Sequence, residues 1–134
     1  MGHTYAANLV HIVFSTKDRA STISEQRQSE LWAYLQGIAR NLKSETLAIG
    51  GMPDHVHLLI SVPRSIALSG LVMKLKANSS KWMGVDFAWQ EGYGAFSVSP
   101  SNIDIVQRYI RSGRTSSQTR FSGGVYDFVG EIGN

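Results

Sequence analysis

Residues Asp54 to Val62 read DHVHLLISV, an apolar run rich in β-branched residues that Pro63 ends, and this pattern predicts a β-strand. Side chains alternate across a strand, so His55 and His57 are expected on one face and Val56 on the other. Two imidazoles on one face of a rigid strand can form half of a site for a divalent metal. The alternative is two exposed polar residues on a half-buried strand.

Around this strand, the hydrophobic periodicity predicts six further elements, which give a β-α-β-β-α-β order followed by one additional helix. They are a strand over Leu9–Thr16, a helix over Ser24–Lys43, a short strand over Thr46–Ile49 followed by a turn or bulge at Gly50-Gly51, a helix capped by Ser65, a strand over Ala95–Val98, and a helix opened by Pro100. This order is typical of the α+β, ferredoxin-like fold, an antiparallel sheet with helices on one face. The C-terminal helix carries Tyr109.

The amino-acid composition excludes several kinds of scaffold and active site. The 134 residues suit one domain, and 43% of them are hydrophobic. With no cysteine, disulfide scaffolds, thiol nucleophiles and thiolate metal sites are excluded. A net charge of +3 permits nucleic-acid binding without requiring it. No apolar run approaches the roughly 20 residues that span a membrane, and no signal peptide is visible, so we expect a cytoplasmic protein.

Four segments, in order, resemble the small single-tyrosine transposases of the IS200/IS605 insertion-sequence group, which carry a His-hydrophobe-His motif. The segments are HIVFSTK at His11–Lys17, GGMPDHVHLLI at Gly50–Ile60, WQEGYGAFSV at Trp89–Val98 and YIRS at Tyr109–Ser112. The resemblance extends over about residues 4–112 and agrees with the ferredoxin-like order of elements.

The resemblance implies a DNA transposase that cuts and rejoins single-stranded DNA at the ends of its element and recognises short hairpins there. It implies that His55 and His57 hold Mg²⁺ or Mn²⁺ and that Tyr109 is the nucleophile. A divalent ion suits a negatively charged phosphodiester, and tyrosine attack gives a covalent 5′-phosphotyrosine. The group further implies a homodimer, with the histidines of one chain and Tyr109 of the other in one active site, and a nucleoid-associated location in a prokaryote.

Other residues have competing interpretations. Tyr109 falls beside the apolar stripe of Ile103, Val106 and Ile110, a position typical of a packing tyrosine. His11, within the first strand, is interpreted as structural. Seven basic residues are candidates for phosphate contacts, although such side chains are often only solvated. They are Lys17, Arg19, Lys74, Lys76, Lys81, Arg108 and Arg111.

The chain departs from the family at Gly113, where the family normally has the glutamine that completes the metal site. We therefore divide the chain into a catalytic domain over residues 1–112 and a divergent tail over residues 113–134. When plausible codons are assigned to Gly113–Asn134 and translated one base later, the resulting sequence is helix-prone and resembles the family's C-terminal helix. This suggests a frameshift just before Gly113. Candidates to replace the third ligand are a water molecule, Asp54 and Gln118, and we expect the divergent C-terminus to impair cleavage.

Two alternatives to an active transposase stay open. The chain can be a catalytically inactive relative that binds DNA hairpins. A ferredoxin-like RNA binder is a weaker alternative, because the exposed sheet aromatics that such proteins need are not evident.

Overall fold

The computed structural model describes residues 8–112 and confirms the predicted order of elements. The tail over residues 113–134 lies outside this range, so the division of the chain after residue 112 stays a prediction. The elements are β1 (Asn8–Ser15), α1 (Glu25–Asn41), β2 (Glu45–Met52), β3 (His55–Val62), α2 (Leu68–Met83), β4 (Gly94–Ser97) and α3 (Ile103–Arg111), with 3₁₀ turns at Lys17–Arg19 and Pro100–Asn102.

The four strands form one sheet in the order β2-β3-β1-β4, and every neighbouring pair is antiparallel. Strands β1 and β3 are central and pair along their full length, from Asn8 opposite Val62 to Ser15 opposite His55. In this order β3 lies between β1 and β2, and β1 lies between β3 and β4. This arrangement gives the two interleaved split βαβ units of the ferredoxin-like fold.

The sheet has two unlike faces, and its central strands β1 and β3 are buried on both of them. Helices α1 and α2 cover one face and pack on alternate residues of the central strands, namely Val10, Ile12 and Phe14 of β1 and Val56, Leu58 and Ile60 of β3. Helix α3 covers part of the other face through Val106 and Ile110, which pack with Val13 and Leu59. The period of two along β1 and β3 therefore sends one set of side chains to the core and the other set to α3.

Helix α1 ends two residues before the predicted end at Lys43. Lys43 adopts a left-handed conformation with φ of 58°, its N–H donates to the Arg40 carbonyl, and the N–H of Ser44 donates to the Ala39 carbonyl. This is the Schellman arrangement, which satisfies the last helical carbonyls and stops the helix.

Two local predictions are wrong. Gly50 and Gly51 do not form a turn or bulge but lie inside β2, and the register shift of that strand falls between Thr46 and Ala48. Gly50 is needed instead because a Cβ there would overlap the Ile110 carbonyl oxygen of α3.

Ser65 does not cap α2. The N–H of Ile66 donates to the Pro63 carbonyl, which closes a turn after β3, and the helix begins at Leu68 with Ala67 at the capping position. No helix within residues 8–112 has the length and apolar character needed to cross a membrane.

Candidate active site

Four ring side chains from three elements meet on the α3 side of the sheet. They are His11 of β1, His55 and His57 of β3, and Tyr109 of α3, and each is at most 5% exposed. The ring centroids of His55 and His57 are 4.9 Å apart, and those of His11 and His57 are 5.2 Å apart. Alternation along β3 thus places both histidines of the motif on one face, as their spacing predicts.

A carboxylate fixes the orientation of His55. Its Nδ1 lies 2.7 Å from Oδ1 of Asp54, and Oδ2 of Asp54 lies 2.9 Å from Nη2 of Arg19. Burial raises the pKa of Asp54, but the hydrogen bond with His55 and the charge of Arg19 outweigh it, so this pKa lies below its usual value. The carboxylate is therefore ionised near neutral pH and accepts the Nδ1 hydrogen of His55, which leaves the lone pair on Nε2.

His57 is bound to a third histidine. Its Nδ1 lies 3.1 Å from Nε2 of His11, and both rings are buried. Burial lowers the pKa of His11 to about 3. Burial, together with the neighbouring His11 and His55, holds the pKa of His57 well below its usual value. Both rings are neutral near pH 7, so one of them donates the shared hydrogen and the other accepts it.

Tyr109 reaches this cluster because α3 is anchored on β2. Nε2 of Gln107 and Nη2 of Arg111 both donate to the Leu47 carbonyl, at 3.0 and 3.2 Å. Leu47 lies at the register shift of β2. Anchored in this way, the Tyr109 ring lies edge-on to His57 of the same chain, with centroids 5.6 Å apart. The tyrosine is therefore both a packing residue and a neighbour of the histidine pair.

Four of the seven basic candidates have hydrogen-bond partners within the protein. Arg19 pairs with Asp54, and Arg111 contacts Leu47, as described above. Nζ of Lys76 donates to the Gln90 and Gly92 carbonyls, each at 2.7 Å, and thereby holds the segment before β4. Arg108 is exposed on α3, and its Nε donates to the Asp104 carbonyl at 3.4 Å. The other three side chains are exposed, on the turn after β1 and on α2. They are Lys17, Lys74 and Lys81.

The sequence alone does not reveal two members of this site. The sequence predicts a structural role for His11, which in the fold contacts His57 directly. It offers Asp54 as a substitute metal ligand, whereas in the fold both oxygens of Asp54 accept hydrogen bonds and the residue acts on the site through His55. The position of Asp54 next to His55 is the signal that the sequence contains. Gln118 lies outside the described range, and within that range no three ligating side chains are grouped as a metal site.

Comparison with known proteins decides the family. A sequence model described as IS200-like transposase matches residues 4–113. The chain belongs to the IS200-like transposase family. This IS200-like transposase is 28% identical to the ISDra2 transposase TnpA of Deinococcus radiodurans, over 76% of its own length and 81% of that of the relative. Membership in this family identifies the protein as a DNA-processing enzyme that acts in the recombination of insertion sequences.

Solved structures share the fold of this IS200-like transposase. A crystal structure of a candidate transposase from Deinococcus radiodurans R1 is 25% identical, with a TM-score of 0.65, and the match covers 85% of this chain and 95% of that one. A REP-associated tyrosine transposase bound to a REP hairpin has a TM-score of 0.64 at 15% identity, with 82% and 68% of the two chains covered. At that identity the second likeness concerns the fold alone.

Proposed function

We propose that this IS200-like transposase cuts and rejoins single-stranded DNA at the ends of its element through a covalent intermediate on Tyr109. The observation that carries the proposal is the Tyr109 ring 5.6 Å from His57, next to His55, in a chain of this family. The tyrosine oxygen bonds to phosphorus and loses its proton, while the bond from phosphorus to the 3′ oxygen breaks and that oxygen leaves as a hydroxyl. Attack of a 3′-hydroxyl on the 5′-phosphotyrosine reverses these changes and joins the strand.

The residues present fit a divalent cation, Mg²⁺ or Mn²⁺, held by His55 and His57. Histidine ligands in proteins usually donate their second ring N–H to a carboxylate or another acceptor, and the bond from His55 to Asp54 has this form. The two imidazoles supply neutral ligands, which suits a site that must also admit a phosphate. When bound, such an ion polarises the scissile phosphate and stabilises the charge that develops on it. The family's third ligand would fall at Gly113, so we propose two protein ligands from the described residues.

The exposed basic residues are proposed to contact the DNA backbone. Lys74 and Lys81 lie on α2, whose described residues include no acidic side chain, and Lys17 and Arg108 lie on other exposed surfaces. Each phosphate contact neutralises one charge and makes binding dependent on salt. A related fold is known bound to a REP hairpin, and we propose single-stranded DNA with hairpins as the partner here.

A homodimer with an active site shared between chains stays a prediction from the family resemblance. Within one chain, Tyr109 already lies beside His57. Mixing a Tyr109→Phe chain with a His57→Ala chain distinguishes the two arrangements, because a shared site recovers activity in the mixed dimer.

The test of the proposed chemistry is the capture of a covalent adduct. The protein is incubated with single-stranded element-end DNA and Mn²⁺, and a protein–DNA band is expected on a denaturing gel. Tyr109→Phe should abolish the band, while Tyr93→Phe, which alters a more exposed tyrosine outside the ring cluster, should keep it. An adduct that persists in Tyr109→Phe, or no adduct with wild type over a range of metals and DNA ends, would contradict the proposal.

An inactive hairpin-binding relative is the second candidate function, and the glycine at position 113 favours it. Hairpin affinity without an adduct in wild type would select this candidate. The RNA-binding alternative is disfavoured, because α3 covers part of the sheet face on which a four-stranded RNA binder stacks bases.

A further inference from the structure

The hydrogen bond between His11 and His57 joins ring nitrogens of two buried imidazoles, so its direction decides which nitrogen of His57 carries the hydrogen. If His57 donates from Nδ1, its Nε2 holds a lone pair. If His11 donates from Nε2, His57 carries its hydrogen on Nε2 and has no lone pair there. The same 3.1 Å contact is compatible with both directions.

The neighbouring histidine indicates which direction operates. Oδ2 of Asp54 pairs with Arg19, and its Oδ1 lies 2.7 Å from Nδ1 of His55, so the carboxylate accepts from Nδ1 and the lone pair of His55 is on Nε2. His55 and His57 can then act together on one ligand only if His57 has the same tautomer. This requires His11 to accept the hydrogen bond.

We propose that His11 is a positioning residue whose Nε2 accepts the Nδ1 hydrogen of His57 and so holds His57 in the tautomer that can bind a cation. The inference rests on the proposed function of the histidine pair. Asp54 and His11 thus have parallel roles, because each engages the Nδ1 atom of one histidine in the motif.

The position of His11 suits this role. It lies on β1, two residues from Val13, which pairs directly with His57, so the two histidines are diagonal neighbours on one face of the sheet. The His11 ring is fully buried, with the rings of Phe96 and Tyr109 each 6.1 Å away. An acceptor enclosed in this way is held in place before any ligand arrives.

The decisive measurement is the tautomer of His57 in the metal-free protein. Ring ¹⁵N-labelled protein is studied at pH 7.5 by long-range ¹H–¹⁵N correlation, which separates Nδ1–H from Nε2–H rings. The proposal expects His57 as Nδ1–H in wild type and in His11→Gln, whose amide oxygen can accept the bond. It expects a shift toward Nε2–H in His11→Leu. A His57 ring that carries its hydrogen on Nε2 in wild type would overturn the proposal.

A second measurement is the affinity for Mn²⁺ without DNA, followed by the electron paramagnetic resonance of the free ion. Loss of the partner on a ligating histidine typically weakens metal binding by about 10- to 100-fold, and we expect this for His11→Leu but not for His11→Gln. Equal affinity of wild type and a folded His11→Leu would contradict the role of His11. If His11→Leu fails to fold, the spectra of wild type and His11→Gln still decide. No Mn²⁺ binding by wild type would contradict the proposed function, whereas the tautomer measurement tests His11 separately.

Discussion

Replacing Gly50 by alanine should displace the helix that carries Tyr109. A Cβ at this position would lie 3.3 Å from the Ile110 carbonyl carbon and well inside contact distance of its oxygen. Both atoms belong to the backbone of α3, so no side-chain rotation can relieve the overlap. Restoring ordinary van der Waals contact requires β2 and α3 to separate by about 1 Å.

The expected cost follows from this geometry. Overpacking of a well-packed interface typically costs about 1–3 kcal/mol, and we expect Gly50→Ala to lower the free energy of unfolding by that amount. Tyr109 immediately precedes Ile110, so the displacement also moves its ring away from His57. A misplacement of about 1 Å can lower a reaction rate by roughly 100-fold, and we expect a loss of this order in the rate of adduct formation.

Urea unfolding and a time course of adduct formation measure the two effects, and Gly37→Ala is the matched control. A Cβ at Gly37 on α1 meets nothing within 4 Å. Alanine there should stabilise the helix by roughly 0.5–1 kcal/mol and leave the adduct rate unchanged. A Gly50→Ala variant as stable as wild type would contradict this prediction, because α3 would then not rest on this glycine. The stability measurement remains decisive even if wild type forms no adduct.

Two further predictions concern the buried His11 and the half-buried Lys76. Lowering the pH from 8 to 5 should destabilise the fold by about 2 kcal/mol through His11 alone. The pKa of His11 is about 3 in the folded protein and near 6.5 in the unfolded chain. The unfolded chain therefore binds the proton first, and stability is lost as the pH falls below about 6.5. Urea unfolding at several pH values should show a shallower pH dependence for His11→Leu, and equal slopes would contradict this origin. Lys76→Met should lower the free energy of unfolding by about 1 kcal/mol, because the Gln90 and Gly92 carbonyls lose their donor but can be hydrated. The control is Lys74→Met at an exposed position, which should change the free energy of unfolding by less than about 0.5 kcal/mol. Equal thermal unfolding of the two lysine variants would refute the structural role of Lys76.

Short sequence patterns around glycine and serine residues gave two wrong predictions of local structure. Gly50 and Gly51 predict a turn when only their neighbours in sequence are considered, but Gly50 is required by a backbone carbonyl that lies 60 residues further along the chain. Ser65 could cap a helix, but the turn that follows Pro63 delays the start of α2 to Leu68. In both cases the deciding contact lies outside the short window that the residue pattern describes.

The order of elements, the ferredoxin-like class and the common face of His55 and His57 all follow from the amino-acid sequence alone. These depend on local periodicity, in which strand side chains alternate every two residues and helical ones recur about every 3.6. The sequence also contains the motifs that place the chain in its family.

The residues that surround the histidine pair, in contrast, are brought together by the folding of distant segments. Antiparallel pairing of β1 with β3 brings His11 to His57, and the docking of α3 on β2 brings Tyr109 to the same place. Pairing register and helix docking depend on contacts between distant segments, and the alternation within one strand cannot specify which residue of another strand lies opposite. For this reason the roles of His11 and Arg19 emerge only from the folded chain.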